Sequence, residues 1–272
     1  MRLHRAVALA VLALFVATAC SRLTFVRQSA KRGSAEEVAP TYDVRDSTAF
    51  KQRRDSQDHI TRAIQRLQAN DLDVAEKETR AALKLNPDSA DPYTLLAAIE
   101  DRRGNRPQAG AYYKRAAELA PAKGEALNNY GAWLCANGLQ AEALVWFDRA
   151  LAAPGYASPA SALANAGGCA LRSGQYERAE RDLRQALAQD PDNAYALAAM
   201  AENEYRQHRY FEARAFTERR LAAAPANPDV LQLASDIEER LGDQVAASRY
   251  VQRLRAEFPE AVTANPGDRT RP

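Results

Sequence analysis

Three cysteines, three histidines and a scatter of carboxylates are the residues of this 272-residue chain that could do chemistry. Cys20 closes the run Ala17-Thr18-Ala19-Cys20, while Cys135 and Cys169 stand inside helical patterns further on. A thiol in such settings can be acylated, form a disulfide or serve as a nucleophile. A nucleophile needs a base beside it, and the histidines do not supply one. His4 sits near the amino terminus, His59 at the edge of the first helical repeat and His208 in a turn, so no triad or metal set can be built from them. Glu36-Glu37, Glu76 with Glu78, and Glu238-Glu239 read as solvated faces, not acid–base pairs. The chain holds no glycine-rich phosphate loop, no HExxH and no GxSxG. The expectation is therefore a protein without cofactor, metal or catalytic activity.

Composition points to the scaffold around these residues. Hydrophobic residues make up 46% and charged residues 26%, enough for a sizeable core. Alanine is abundant and aromatics are sparse, which favours helix, because alanine loses no side-chain entropy there. A net charge of +2 is too small to argue for nucleic acid, and no basic stripe with interleaved aromatics is present. Arg2, His4 and Arg5 precede an apolar run, Ala6 to Val16, too short to span a bilayer as a mature helix. Residues 1–19 read as a signal peptide. Small residues before Cys20 resemble the lipobox of bacterial lipoproteins, with Ala17 where Leu or Val is usual. That resemblance implies lipidation of Cys20, and Ser21 after it implies the outer membrane, facing the periplasm. An ordinary secretory signal is the alternative. Two or three acyl chains, at ~0.8 kcal/mol per buried CH₂, make a stable anchor where one is marginal.

Residues 20–55 show no sustained apolar period and read as a flexible tether, with a span on the order of 30 Å. Lys51–Asp58 could begin the first helix, with Ser47 or Thr48 as its cap. Beyond it, prolines mark a ruler: Pro87, Pro121, Pro191, Pro225 and Pro259 are separated by 34, 70, 34 and 34 residues. The long interval is two units plus two residues, which fall in the turn Ala152–Pro159. This is the period of a tetratricopeptide repeat, a helix–turn–helix unit. Units begin near Ser56, Ala90, Gly124, Ala160, Ala194 and Pro228, giving 56–89, 90–123, 124–159, 160–193, 194–227 and 228–261 within a domain of 56–262. Residues 263–272 read as a disordered tail.

Three columns recur. The second helices carry Ala75, Ala109, Ala143, Ala179, Ala213 and Ala247. The first helices carry Ala63, Ala97, Gly131, Gly167, Ala201 and Ser235. The turns carry Asn70, Gly104, Gly138, Gly174, His208 and Gly242. Glycine relieves a left-handed backbone at a helix end, so His208 is expected to be slightly strained or re-formed. A generic helical hairpin would explain one unit but not six in phase. The expected fold is all-α, a right-handed superhelix of about six repeats whose concave face is lined by first helices and suits an extended or helical peptide.

Cys135 and Cys169 fall on first helices of neighbouring units. A disulfide needs Cα atoms within about 7 Å, and packed helices lie roughly 8–10 Å apart, so facing positions could bond in an exported protein. Two small buried hydrophobes are the alternative. Repeat positions two, five, nine and twelve tend to face the groove. They place Asn128 and Ala132, Ala164 and Gly168, and Tyr195, Ala198, Glu202 and Tyr205 there. Asn129 and Asn165 are candidates for bridging helices by hydrogen bonds to backbone.

The segment Leu127-Asn128-Asn129-Tyr130-Gly131-Ala132-Trp133-Leu134-Cys135 resembles the outer-membrane lipoproteins of type IV pilus biogenesis known as PilF or PilW. So do Asn165-Ala166-Gly167-Gly168-Cys169-Ala170 and Gly174-Gln175-Tyr176-Glu177-Arg178-Ala179-Glu180. Repeats alone are not specific, but these paired motifs before cysteines are considerably more so. The resemblance implies a pilotin: a lipid-anchored monomer that binds the secretin subunit of the pilus and helps it reach the outer membrane and multimerise. An adaptor for another envelope machine is the alternative.

Overall fold

A computed structural model describes residues 47–263. The signal peptide, Cys20, the tether as far as residue 46 and the tail from residue 264 lie outside the described residues. The chain divides at Thr48 into two units, and the second carries all the repeats.

Among the described residues there are thirteen helices and no strand. They pair as α1 (Thr48–Gln68) with α2 (Leu72–Leu85), α3 (Ala90–Arg102) with α4 (Arg106–Leu119), and α5 (Gly124–Ala136) with α6 (Gln140–Leu151). Then come α7 (Pro159–Arg172) with α8 (Tyr176–Gln189), α9 (Ala194–Arg206) with α10 (Tyr210–Ala223), and α11 (Pro228–Leu241) with α12 (Gln244–Glu257). A short α13 (Pro259–Thr263) follows the last hairpin. The first helix starts at Thr48, so it takes in residues that read as tether. The start falls beside Ser47, one of the two caps the sequence offers, and Ala49, Lys51, Gln52, Arg53 and Arg54 favour helix although they are exposed and carry no apolar period.

The turns repeat one geometry. Asn70, Gly104, Gly138, Gly174, His208 and Gly242 have φ of 57°, 78°, 84°, 75°, 62° and 82°. His208 therefore keeps the left-handed conformation instead of re-forming the turn. Its ring is held by a 2.8 Å hydrogen bond with the Tyr210 hydroxyl.

Core packing follows from complementary volumes in the first, third, fourth and fifth hairpins. The six second-helix alanines are buried, none more than 3% exposed. Opposite them the slot sizes compensate. Where the first helix has Gly131 or Gly167, the second presents Phe147 or Leu183. A Cβ on Gly131 would come within 2.8 Å of the Phe147 ring, and one on Gly167 within 2.5 Å of Leu183 Cγ. Where the first helix has Ala63 or Ala201, the partner shrinks to Thr79 or Thr217. These buried hydroxyls are satisfied by donating to carbonyls four residues back, Ala75 at 2.7 Å and Ala213 at 2.8 Å. The two extra residues are absorbed outside the core. Tyr156, in the turn between α6 and α7, lies over Gly124, where a Cβ would meet its ring at 2.4 Å.

Arginines tie neighbouring repeats. Arg103 reaches Asp73 at 2.7 Å, Glu76 at 2.5 Å and Glu100 at 3.0 Å. Arg178 reaches Asp148 at 2.6 Å, Arg209 reaches Glu180 at 2.7 Å, and Arg214 holds Glu238. The Arg103 guanidinium is the main cause that holds the Glu76 carboxyl below its ordinary range. The exposed pairs among these add little stability each, typically under ~1 kcal/mol, whereas the Glu238 carboxylate held by Arg214 is itself buried. They set the register of one hairpin on the next.

Candidate peptide groove

The first helices carry the candidate groove residues. In repeats two and three, Asp101, Arg106, Tyr113, Asn129, Ala132, Trp133, Ala136 and Asn137 line a cleft of about 420 Å³. Trp133 reaches this depth because Gly110 of α4 leaves room: a Cβ there would lie 2.3 Å from the indole. Tyr130 stacks against Trp133 at 6.2 Å and meets Trp146 edge-on at 4.9 Å. Burial, reinforced by Asp101, pushes the Tyr113 phenol well above its ordinary pKa. Partial desolvation in turn raises the Asp101 carboxyl. At neutral pH the phenol is therefore a hydrogen-bond donor.

In repeats four to six the groove is built from tyrosines and arginines. Tyr195 is 45% exposed, and its hydroxyl lies over Gly168. Arg172 donates to that hydroxyl at 3.2 Å. Glu202 is ion-paired with Arg206 at 2.6 Å, so it faces the groove already neutralised. Tyr205 is half-buried, packs against Tyr210 at 5.6 Å and lies against the Arg240 guanidinium. Ala198 is half-buried beside them.

The structure corrects several assignments. Asn128 is not open groove surface: it is 8% exposed, and its side-chain carbonyl accepts from the Asn165 amide at 3.1 Å. Asn165 thus bridges to a side chain rather than to backbone. Asn129, expected to bridge helices, lines the cleft with Ala132 instead. Ala164 is 2% exposed and Gly168 is covered by Tyr195, so both are floor, not contact surface. The reason is common to all three: small and amide residues sit where consecutive first helices approach closely. Trp133 and Tyr113 were not assigned to the groove from sequence. The signal was available, since a Gly110 between two alanine-rich turns leaves space that only a large neighbour fills.

Cys135 and Cys169 are bonded, with Cα atoms 5.9 Å apart. The bond joins the end of α5 to the last turn of α7.

A tetratricopeptide-repeat family profile matches residues 170–237. The crystal structure of PilW, a widely conserved type IV pilus biogenesis factor, matches with a TM-score of 0.70 at 28% identity, over 75% of this chain and 94% of that one. PilF of Pseudomonas aeruginosa matches with a TM-score of 0.70 at 21% identity, over 77% of this chain and 95% of that one, a likeness of fold. Cellulose synthase operon protein C of Pseudomonas fluorescens (strain SBW25) is 28% identical over 228 residues, 82% of this chain but 17% of that protein. The chain thus spans about a sixth of that relative's length. Six in-phase hairpins with left-handed turns and interlocking volume slots define an all-α tetratricopeptide-repeat solenoid. Such folds generally serve as non-enzymatic scaffolds that bind other proteins. Within that class the chain is a PilF/PilW-like tetratricopeptide-repeat protein.

Proposed function

We propose that this protein is an outer-membrane lipoprotein scaffold of type IV pilus biogenesis. It acts as a pilotin: its groove holds a segment of the secretin subunit, and lipid on Cys20 carries the pair to the outer membrane, where the secretin multimerises. It transforms no substrate. The observation that carries this reading is the likeness to PilW, which extends over nearly the whole of that chain. The disulfide between two first helices fits an oxidising compartment.

Tyr205→Ala tests the groove. The ring is half-buried, so its loss should leave the fold intact. Secretin co-purification should fall several-fold, while the thermal midpoint moves by no more than a few degrees. Unchanged co-purification with a folded variant contradicts the groove assignment. The match to cellulose synthase operon protein C favours one other reading, an adaptor for a different envelope machine. That reading predicts no co-purification of the secretin with the wild-type protein.

A further inference from the structure

We infer that the outer face of the second helices is a membrane-contact surface, which lies on anionic phospholipid headgroups through the second, third, fifth and sixth hairpins. It rests on the lipoprotein reading for the lipid that holds the array beside a bilayer.

The buried alanine column fixes which way is out. At about 100° per residue, positions two before, two after and six after each alanine point nearly opposite to it. In the second and third hairpins these are Pro107, Ala111 and Arg115, then Ala141, Val145 and Arg149. In the fifth and sixth they are Phe211, Ala215 and Arg219, then Val245, Arg249 and Arg253. All are exposed. These four stripes hold apolar residues and arginine and not one acid. A solvated helix face is ordinarily charged and polar. The first and fourth hairpins follow that rule and mix both signs, with Asp73, Lys77 and Ala81, then Glu177, Arg181 and Gln185.

Single hydrophobics on a surface are normal. Here they are aligned. The three most exposed large hydrophobics among the described residues are Phe211 at 72%, Val245 at 72% and Val145 at 56%, and all three stand on these stripes. Nor are the arginines neutralised across repeats, as Arg178 and Arg209 are. Arg115 meets Glu118 only at 4.0 Å, and Arg253 pairs with Glu257 on its own helix at 2.9 Å. Among the described residues no carboxylate lies at ion-pair distance from Arg149, Arg219 or Arg249. Arg149 lies 4.1 Å from the Trp146 ring centroid and Arg219 5.6 Å from that of Phe216, contacts that leave the charge in place. The helix dipole accounts for Arg149, in the last turn of α6, but Arg115, Arg219 and Arg249 stand outside the last turns of their helices.

Apolar side chains among guanidinium groups, with no acid between, match the interface of an anionic bilayer. The apolar groups enter the headgroup layer, and each arginine near the surface adds roughly fivefold in partition. Lipid on Cys20 supplies the proximity: the ~26 residues from there to Ser47 reach at most on the order of 90 Å when extended.

The test uses the full-length lipidated protein in phosphatidylcholine vesicles, with or without phosphatidylglycerol, doped with a nitroxide-headgroup lipid. A fluorophore is placed on Ala215→Cys in the stripe or on Gln232→Cys of α11, a first helix; both sites are exposed. Cys135 and Cys169 are bonded to each other and do not take the label. Phosphatidylglycerol should raise quenching at the stripe several-fold and leave the α11 site unchanged, and high salt should reverse the rise. Arg219→Gln/Arg249→Gln and Phe211→Ser/Val245→Ser, all at exposed positions, should each return quenching towards the phosphatidylcholine level. Equal quenching at the two sites, or quenching unmoved by phosphatidylglycerol and by both pairs of substitutions, overturns the inference. Secretin co-purification in detergent should be unaffected by either pair; its loss puts a protein on this face and overturns the inference while the scaffold reading stands. If Cys20 carries no lipid by mass spectrometry, or the wild type captures no secretin, the lipoprotein scaffold reading fails, and quenching of protein added to the same vesicles still decides the face.

Discussion

Replacing Phe147 by alanine is expected to lower stability by about 3–5 kcal/mol, the largest single-residue effect in the array. Phe147 is wholly buried and occupies the volume that Gly131 vacates on the facing helix. Ala143 and Ala150, which flank it on the same helix, are fully buried and too small to fill the gap. In a solenoid each hairpin is stabilised by its neighbours, so a loosened third hairpin also weakens the second and fourth. Thr217→Ala removes far less volume from the corresponding slot and should cost much less. Urea denaturation followed by far-ultraviolet circular dichroism checks both. Adding Gly131→Ala to Phe147→Ala should recover part of the loss, since the extra methyl enters the cavity that made it clash before. Equal midpoints for Phe147→Ala and Thr217→Ala would contradict this account of the core.

Removing the Cys135–Cys169 bond is expected to cost about 3–4 kcal/mol. The bond closes 34 residues of chain, and loop-closure entropy in the unfolded state grows with that length. Both residues are buried, so reduction also leaves two thiols packed at van der Waals distance where the helices were joined. Cys135→Ala/Cys169→Ala should lower the urea midpoint relative to wild type, and a reductant should lower it only for wild type. A titration of thiols on the denatured, unreduced repeat protein should find neither cysteine free. Two free thiols would contradict the bond.

The repeat architecture was legible because each of its signals has a local cause. A left-handed turn asks for glycine, and four of the six turns have it where the period puts it, with Asn70 and His208 adopting the same φ. The alanine column is read equally directly, since any larger side chain would hold the paired helices apart. The tether bound at residue 55 ran past the helix start that Ser47 or Thr48 marked, because the first turns of α1 bury nothing. The two asparagines were exchanged for a different reason. Residues i and i+1 on a helix point about 100° apart, and which one meets the next repeat depends on the rotation between repeats. Here the inserted turn shifts that relation. Ala143 and Ala179 are 36 residues apart, yet the bonded cysteines are separated by 34 and the Asn128–Asn165 pair by 37. Positions counted from each repeat start therefore do not coincide across that junction. Asn203 and Glu204, almost fully buried in α9, were likewise invisible to a reading that expects polar residues outside.

The central claim is that a lipid-anchored helical array assembles the pilus secretin by holding it. The direct measurement is a gel of detergent-resistant secretin multimers from cells lacking this protein, complemented with the wild type or with Cys20→Ala. The account predicts multimers lost while secretin monomer persists, restored by the wild type and not by Cys20→Ala. Multimers at the wild-type level in the deletion strain would contradict it.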